Sequence, residues 1–222
     1  MSFEPDAVII EPENEHKASV IWLHGLGADG HDFESIVPEL NLSGDLGIRF
    51  IFPNAPVRPV TINGGMSMRA WYDIKSPNLR ELEDVDSITE SHELITRYIN
   101  AEIEKGISAN KIILAGFSQG GAITLYTGLR YPENLAGLLA LSTYLPVPDQ
   151  LEKEASKNSK AIPIMMAHGI ADPVIPVEQG RASCQTLKGL DYEVDWHEYM
   201  MQHAVCLEEI NAIATWIKKI LN

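Results

Sequence analysis

The sequence has few cysteines and few basic residues. Cysteine occurs only at Cys184 and Cys206, and neither position has the spacing of a zinc site or of a disulfide framework. We therefore expect free thiols in a reducing, cytoplasmic environment. Lys and Arg number 17 against 31 Asp and Glu, which gives a formal net charge of −14. This balance argues against nucleic acid as a partner and against electrostatic binding to an anionic membrane.

Long apolar runs are also missing. No stretch approaches the roughly 20 apolar residues that a membrane-spanning helix needs, so no integral membrane segment is predicted. Residues 1–6 carry acids where a signal peptide has basic residues, and the apolar run at 7–10 is too short for a signal core. With 45% hydrophobic and 22% charged residues, the composition indicates a single globular domain over residues 1–222.

Short apolar runs alternate with longer amphipathic segments. Runs rich in Ile, Leu and Val predict buried, mostly parallel strands at residues 18–23, 48–52, 111–117, 135–141 and 162–167. The alternating segment 194–199 predicts a strand nearer an edge. Apolar spacings of three and four predict helices over 82–105, ended by Gly106, and over 205–221. This order predicts an α/β fold, a central sheet with helices on both faces.

Two segments show no clear period. Residues 53–59 contain three prolines and predict a loop that continues to Tyr72. A long irregular segment in a compact domain often forms a lid or a pocket wall. Residues 146–160 are polar and predict a surface loop. The connections between strands are too short for a large cap domain.

Gly116-Phe117-Ser118-Gln119-Gly120 matches the G-x-S-x-G nucleophile elbow. It follows a predicted buried strand and precedes small residues that let a helix pack closely. In such an elbow the serine lies on a sharp turn, and its neighbours two positions away must be small. Ser118 is therefore the candidate nucleophile of a serine hydrolase with the α/β-hydrolase fold. The alternative is an ordinary glycine-rich turn between a strand and a helix.

A serine nucleophile needs a base, and the base needs a carboxylate that fixes its tautomer. The order along the chain in this fold is Ser, then Asp or Glu, then His. His203, between the last strand and the last helix, is the candidate base. His168 is the alternative, although a structural role is favoured for it. Asp172 directly follows a buried strand and is the candidate acid. The weaker candidates are Asp149, Asp191 and Asp195.

Acyl transfer also needs N–H donors for the developing oxyanion. Gln119, the residue after the nucleophile, is the first candidate. Leu26 is the second, because the glycines on either side of it let its N–H turn inward, and His24 is expected to brace this loop. A phosphate-binding loop is the alternative, but neither G-x-G-x-x-G nor a Walker lysine is present.

Without a cap domain, the substrate pocket is expected to be shallow and open. Its candidate substrate-binding residues, beside Leu26, are Met66, Trp71, Tyr144 and Leu145. Core positions are the alternative for each of them. The predicted reaction needs no metal ion and no organic cofactor.

The chain resembles the carboxylesterase and acyl-protein thioesterase family of α/β-hydrolases over nearly its whole length. The stretches that carry the resemblance are Trp22-Leu23-His24-Gly25-Leu26-Gly27, Trp71-Tyr72-Asp73-Ile74, Ala115-Gly116-Phe117-Ser118-Gln119-Gly120-Gly121, Leu141-Ser142-Thr143-Tyr144-Leu145-Pro146, His168-Gly169, Asp172-Pro173-Val174 and Met201-Gln202-His203. The resemblance is closer to bacterial carboxylesterases, which share Val60-Thr61-Ile62-Asn63 and Trp71-Tyr72-Asp73-Ile74. Met200-Met201-Gln202 departs from the Gly or Pro that the family often has there, which indicates a differently shaped loop.

The resemblance implies a triad of Ser118, Asp172 and His203, with oxyanion donors at Leu26 and Gln119. It predicts a serine carboxylesterase that cleaves short to medium acyl esters through an acyl-enzyme. The alternative is an acyl-protein thioesterase or lysophospholipase with the same triad, acting on S-acylated proteins or lysophospholipids. A peptidase, a lactone hydrolase and a non-catalytic binding protein are further alternatives. The predicted partner is a small ester or thioester, and both monomer and homodimer stay open.

Overall fold

The protein folds around a central, mostly parallel β-sheet. The computed structural model describes residues 3–77 and 81–222. The strands are β1 Ala7–Ile10, β2 Ala18–Leu23, β3 Ile48–Pro53, β4 Val57–Val60, β5 Met66–Arg69, β6 Ile112–Phe117, β7 Gly137–Leu141, β8 Ile164–Gly169 and β9 Val194–Tyr199. Seven of these described strands form the central sheet, in the order β1-β3-β2-β6-β7-β8-β9. Neighbouring strands are parallel except for β1 with β3.

The apolar runs of the sequence form the inner strands. β2, β3, β6, β7 and β8 are buried along almost their whole length, because helices cover both faces of the sheet. The predicted strands are confirmed, with small differences at their ends. β9 lies at an edge, as its alternating pattern predicted. β1 was not predicted; it pairs antiparallel with β3 at the opposite edge.

Helices cover the sheet on both sides. They are α1 Ile36–Glu39, α2 Val85–Glu104, α3 Gln119–Arg130, α4 Pro148–Glu154, α5 Val177–Gly189 and α6 Leu207–Leu221. Alternate residues of β2 enter two separate apolar layers. Ile21 and Leu23 pack in the layer with α2, α3 and α5, whereas Val20 and Trp22 pack in the layer with α1 and α6. The predicted α/β fold is confirmed, and Gly106 follows α2 with a φ of 96°.

The segment predicted as irregular contains a β-hairpin. β4 and β5 pair antiparallel with each other, apart from the central sheet, so the prediction of a continuous loop from residue 53 to Tyr72 was wrong. Pro59 is tolerated because a two-stranded ribbon has outer positions whose N–H needs no partner. Gly64 and Gly65, with φ of 67° and 77°, make the turn. Likewise α4 lies within residues 146–160, where a surface loop was predicted.

The carboxyl ends of the parallel strands meet along one edge of the sheet. Leu23 pairs with Gly116 and Phe117 pairs with Leu141, so the loops after β2, β6 and β7 lie side by side. Over this edge the described residues place short loops and the hairpin rather than a cap domain. Among residues 3–77 and 81–222, no helix is long and apolar enough to cross a membrane.

Candidate active site

Ser118 occupies the sharp turn between β6 and α3. Its backbone has a φ of 55° and a ψ of −121°, a conformation that non-glycine residues rarely adopt. A Cβ atom on Gly116 would lie 2.4 Å from the backbone of Gly120. A Cβ atom on Gly120 would lie 2.4 Å from the carbonyl oxygen of Leu23. Larger residues at either position would force strand and helix apart, so the spacing of the motif follows from the turn.

Ser118, His203 and Asp172 form one hydrogen-bonded row. The Ser118 Oγ lies 2.9 Å from His203 Nε2, and His203 Nδ1 lies 2.6 Å from Asp172 Oδ2. A carboxylate only accepts, so Nδ1 carries a proton and Nε2 is left to accept from the serine hydroxyl. The side chain of Asp172 is fully buried, whereas that of His203 is 15% exposed. The sequence-predicted trio is therefore brought together, with the imidazole at the surface.

The loops that carry Asp172 and His203 are tied to each other. Ile170 N donates to Tyr199 O over 2.9 Å, and a Cβ atom on Gly169 would lie 2.2 Å from Gln202 O. This close approach requires glycine at the end of β8. The two side chains therefore meet because β8 and β9 are adjacent parallel strands whose following loops pack together.

Backbone N–H groups hold the Asp172 carboxylate in place. Its Oδ1 accepts from Val174 N over 2.8 Å and from Ile175 N over 2.9 Å. This leaves Oδ2 directed at His203. The turn that Asp172 makes with its own loop is therefore part of the same arrangement that orients the imidazole.

His168 supports the same loop from behind. Its Nε2 lies 2.8 Å from the carbonyl oxygen of Ile175 and must donate to it, and it lies 3.5 Å from Asp172 Oδ2. Burial lowers the pKa of His168, which keeps the imidazole neutral. This is the structural role that the sequence favoured, in which the histidine bonds loop backbone.

The loop after β2 lies directly against the nucleophile. A Cβ atom on Gly25 would be 3.5 Å from Ser118 Cβ, which places Leu26 at the edge of the elbow. Gly27 has a φ of 78° and donates its N–H to Arg69 O over 2.8 Å, so β5 holds the loop. Within the part of the chain that the structure describes, neither Leu26 N–H nor Gln119 N–H donates to another group. Both donors remain available to a ligand.

Three of the four predicted pocket residues lie in the core instead. Trp71, Tyr144 and Leu145 are 0%, 2% and 0% exposed, so they form no open wall. All three pack in the apolar layer that contains α2, α3 and α5, and their polar groups are bonded there: Trp71 N donates to Gln119, the Tyr144 and Tyr72 hydroxyls are 3.0 Å apart, and Leu145 N donates to Ser183 Oγ. Met66, on β5, is 65% exposed.

Two contacts at the site were not foreseen. The Phe117 ring packs on the His203 imidazole with centroids 4.7 Å apart, and the Phe33 ring packs on Phe117 with centroids 5.5 Å apart. The Gln119 side chain turns inward to bond the backbone of Trp71 and Tyr72. The only sequence signal was the presence of an aromatic and an amide at the two variable positions of the elbow.

Neither cysteine belongs to the row of Ser118, His203 and Asp172. Across residues 3–77 and 81–222, no cluster of His, Cys, Asp or Glu could hold a metal ion. Cys184 and Cys206 are both free. Burial raises the pKa of the Cys206 thiol, which lowers the fraction of reactive thiolate.

Comparison with known proteins agrees with this geometry. Residues 4–221 match the family model described as Phospholipase/Carboxylesterase. The chain is 37% identical to acyl-protein thioesterase 1 of Yarrowia lipolytica, over 96% of each chain. It is 40% identical to acyl-protein thioesterase 1 of Neurospora crassa, over 91% of this chain and 86% of the relative.

A solved structure extends the likeness to three dimensions. The structure of Zea mays acyl-protein thioesterase 2 superposes with a TM-score of 0.86 at 28% identity, and the match covers 99% of this chain and 100% of that one. The sequence resemblance to the carboxylesterase and acyl-protein thioesterase family is confirmed. The chain belongs to the phospholipase/carboxylesterase family of α/β-hydrolases and is a hydrolase of the carboxylesterase and thioesterase type.

Proposed function

We propose that the chain is an acyl-protein thioesterase that removes fatty acyl groups from protein cysteines through an acyl-enzyme on Ser118. The hydrogen-bonded row of Ser118, His203 and Asp172 carries the proposal, because it supplies a nucleophile, a base and an orienting acid in contact. The names of the curated relatives favour this function over the small-ester carboxylesterase that the sequence analysis put first. The free cysteines support a reducing compartment such as the cytoplasm.

In the acylation step, His203 Nε2 takes the proton from Ser118 Oγ, and this serine oxygen bonds to the thioester carbonyl carbon. The N–H groups of Leu26 and Gln119 stabilise the negative charge that develops on the carbonyl oxygen. Asp172 stabilises the imidazolium. The carbon–sulfur bond then breaks, and the cysteine sulfur leaves with the proton from His203.

In the deacylation step, water takes the place of the thiol. His203 accepts a proton from this water, and the water oxygen bonds to the acyl carbon. The bond to Ser118 breaks, the serine oxygen recovers the proton from His203, and the fatty acid leaves. The cycle consumes one water and regenerates all three side chains.

The same machinery also accepts oxygen esters, at a rate that depends on the leaving group. A cysteine thiol has a pKa of about 8.5, whereas that of water, which resembles an alcohol, is about 15.7. The thiolate is therefore the better leaving group. We expect activated aryl esters to be turned over as well, which keeps carboxylesterase activity as the second candidate function.

Exposed apolar side chains on the two loops that carry His203 and Asp172 support an acylated substrate. Met200 is 88% exposed on the loop that leads to His203. Ile170 and Val174, on the loop that carries Asp172, are 42% and 59% exposed. An acyl chain that contacts these side chains removes apolar surface from water, which favours binding by about 25 cal/mol for each square ångström.

The proposal is tested with a pair of peptides, one with an S-acyl cysteine and one with an O-acyl serine in the same sequence. We expect faster turnover of the thioester, measured as thiol release against acid release.

Ser118→Ala is expected to lower turnover by about 10⁴- to 10⁶-fold. Undiminished turnover by the purified variant would refute the role of Ser118. Turnover of aryl esters without turnover of the S-acyl peptide would favour the carboxylesterase.

Ser142 offers a matched control for Ser118. It also follows a strand of the central sheet, has a positive φ of 45°, and carries a buried Oγ that bonds no other described residue. Ser142→Ala therefore removes the same atom from a similar backbone. We expect it to retain most of the activity.

A further inference from the structure

We propose that Trp71 and the side chain of Gln119 are positioning residues of the oxyanion hole, acting on Leu26 through His24. The inference rests on the proposed function, since it concerns the two N–H donors that stabilise the intermediate. Trp71 is the residue that the sequence assigned to a pocket wall, and it is fully buried instead. Its contacts assign it a different role.

The Gln119 side chain holds the backbone at Trp71 and Tyr72. Its Oε1 accepts from Trp71 N over 2.8 Å, and its Nε2 donates to Tyr72 O over 2.6 Å. Gln119 is 2% exposed, so water does not compete for these bonds. A neutral amide is the side chain that accepts and donates in this way. The backbone N–H of the same residue is the first oxyanion donor.

Trp71 connects Gln119 to the loop after β2. Its indole Nε1 donates to the carbonyl oxygen of His24 over 2.9 Å, and its ring packs on the His24 imidazole with centroids 5.2 Å apart. The carbonyl of Trp71 accepts from Ser91 Oγ. The N–H, the carbonyl and the indole of Trp71 are thus all bonded, which leaves this side chain little freedom to move.

His24 fixes the direction in which the Leu26 N–H points. Ala55 N donates to His24 Nε2 over 3.1 Å, so Nδ1 carries the proton and donates to Gly25 O over 2.7 Å. Burial lowers the pKa of His24 and keeps the ring neutral. The Gly25 carbonyl and the Leu26 N–H belong to one planar trans peptide, in which they point in opposite directions. Fixing the carbonyl on His24 therefore aims the N–H away from it.

One side chain consequently links the two halves of the oxyanion hole. Gln119 supplies a donor from its backbone and, through Trp71 and His24, restrains the loop that supplies the other donor. The separation of the two N–H groups is then set before substrate arrives. Such preorganisation is what gives oxyanion donors their large effect on rate.

The test removes side-chain bonds of this network while leaving every backbone N–H in place. Gln119→Leu removes both side-chain bonds, Gln119→Glu removes the donor, and Trp71→Phe removes the indole N–H while keeping an aromatic ring. Trp216→Phe is the control, because Trp216 packs against Gly137 at the far end of the strands. Each variant is assayed for kcat and KM on p-nitrophenyl butanoate. Inhibition by butylboronic acid is measured in parallel, since its serine adduct places an oxygen in the oxyanion hole.

We expect kcat to fall by about 10- to 100-fold in the Gln119 and Trp71 variants, with KM nearly unchanged, because donors are misplaced and not removed. The inhibition constant of the boronic acid should rise by a similar factor. Trp216→Phe should change neither. Loss of thermal stability with kcat and boronic acid inhibition unchanged in folded variants would overturn the inference.

Two further measurements separate a failure of this inference from a failure of the proposed function. Ser118→Ala tests the proposed function separately, so a dead serine variant beside fully active Trp71 and Gln119 variants refutes only this inference. In wild-type protein, ¹⁵N NMR of His24 reports its tautomer and needs no variant. Protonation at Nδ1 supports the inference, whereas protonation at Nε2 overturns it even if the substituted proteins fail to fold.

Discussion

Glu209 lies in the first turn of α6 with its carboxyl group out of contact with water. It is 0% exposed, and its carboxyl oxygens make no hydrogen bond to another described side chain. Burial raises the pKa of Glu209 to about 8, because an ionised carboxylate is costly in an apolar environment and the nearby backbone N–H of Cys206 offsets this cost only in part. The side chain is therefore protonated in the folded protein near neutral pH. In the unfolded chain the same group has a pKa of 4.5.

This difference makes the stability of the protein depend on pH with a known sign. Below about pH 4.5 both states hold the proton and Glu209 has no effect. Above it the unfolded state loses the proton first, so the free energy of unfolding decreases until the folded pKa near 8 is passed. Each pH unit in this window is worth about 1.4 kcal/mol, so the cost at pH 7 is on the order of 3 kcal/mol.

Glu209→Gln removes the titration and nearly keeps the shape of the side chain. We expect the variant to match wild type near pH 4.5, to be more stable by about 3 kcal/mol at pH 7, and to level off at about 5 kcal/mol above pH 8. Urea unfolding at a series of pH values, followed by tryptophan fluorescence, gives the free energy of unfolding of both proteins. Their difference isolates Glu209 from the other groups that titrate.

Glu208→Gln is the control, since Glu208 is exposed in the same helical turn. Its substitution should produce no gain in stability that grows with pH. An equal difference between Glu209→Gln and wild type at pH 4.5 and pH 8 would refute the reasoning. It would mean that the buried carboxyl is ionised in the folded protein.

Two predictions concern the active site. Asp172→Asn should lower kcat by about 10⁴-fold with little change in KM, because an amide presented to Nδ1 favours the wrong His203 tautomer; near-normal kcat on p-nitrophenyl esters would exclude the orienting role. Cys206→Ser should keep most of the activity, because Cys206 is the residue preceding α6 and has no place in the row of Ser118, His203 and Asp172. Complete loss of thioester turnover in that variant would point to a thiol mechanism.

The strands and the triad positions could be predicted because local rules specify them. A strand covered on both faces needs a continuous apolar run, which residues 18–23 and 111–117 display. The elbow needs small residues at Gly116 and Gly120, because any Cβ there would meet backbone. These requirements act over a few residues and leave a readable pattern. The single domain over residues 1–222 stays a prediction.

The hairpin and β1 were missed because pairing, not composition, defines them. β1 has four half-buried residues, too few to show a period, and it is a strand because β3 offers an open edge. Residues 57–60 contain a proline and are largely exposed, so β-propensity is weak there. Their strand character depends on the partner strand β5 across the Gly64-Gly65 turn.

The burial of Trp71, Tyr144 and Leu145 could not be predicted for a related reason. Whether Trp71 faces solvent or core depends on its bonds to His24 and Gln119, which lie 47 and 48 residues away in sequence, so no local pattern reports it. Once Trp71, Tyr144 and Leu145 belong to the core, they can shape the oxyanion hole and the fold but cannot contact a substrate in this conformation. Met200, Ile170 and Val174 are exposed apolar side chains on the loops that carry His203 and Asp172, and we expect an acyl group to contact them. We therefore expect substrate preference and triad geometry to be coupled through the backbone of these two loops.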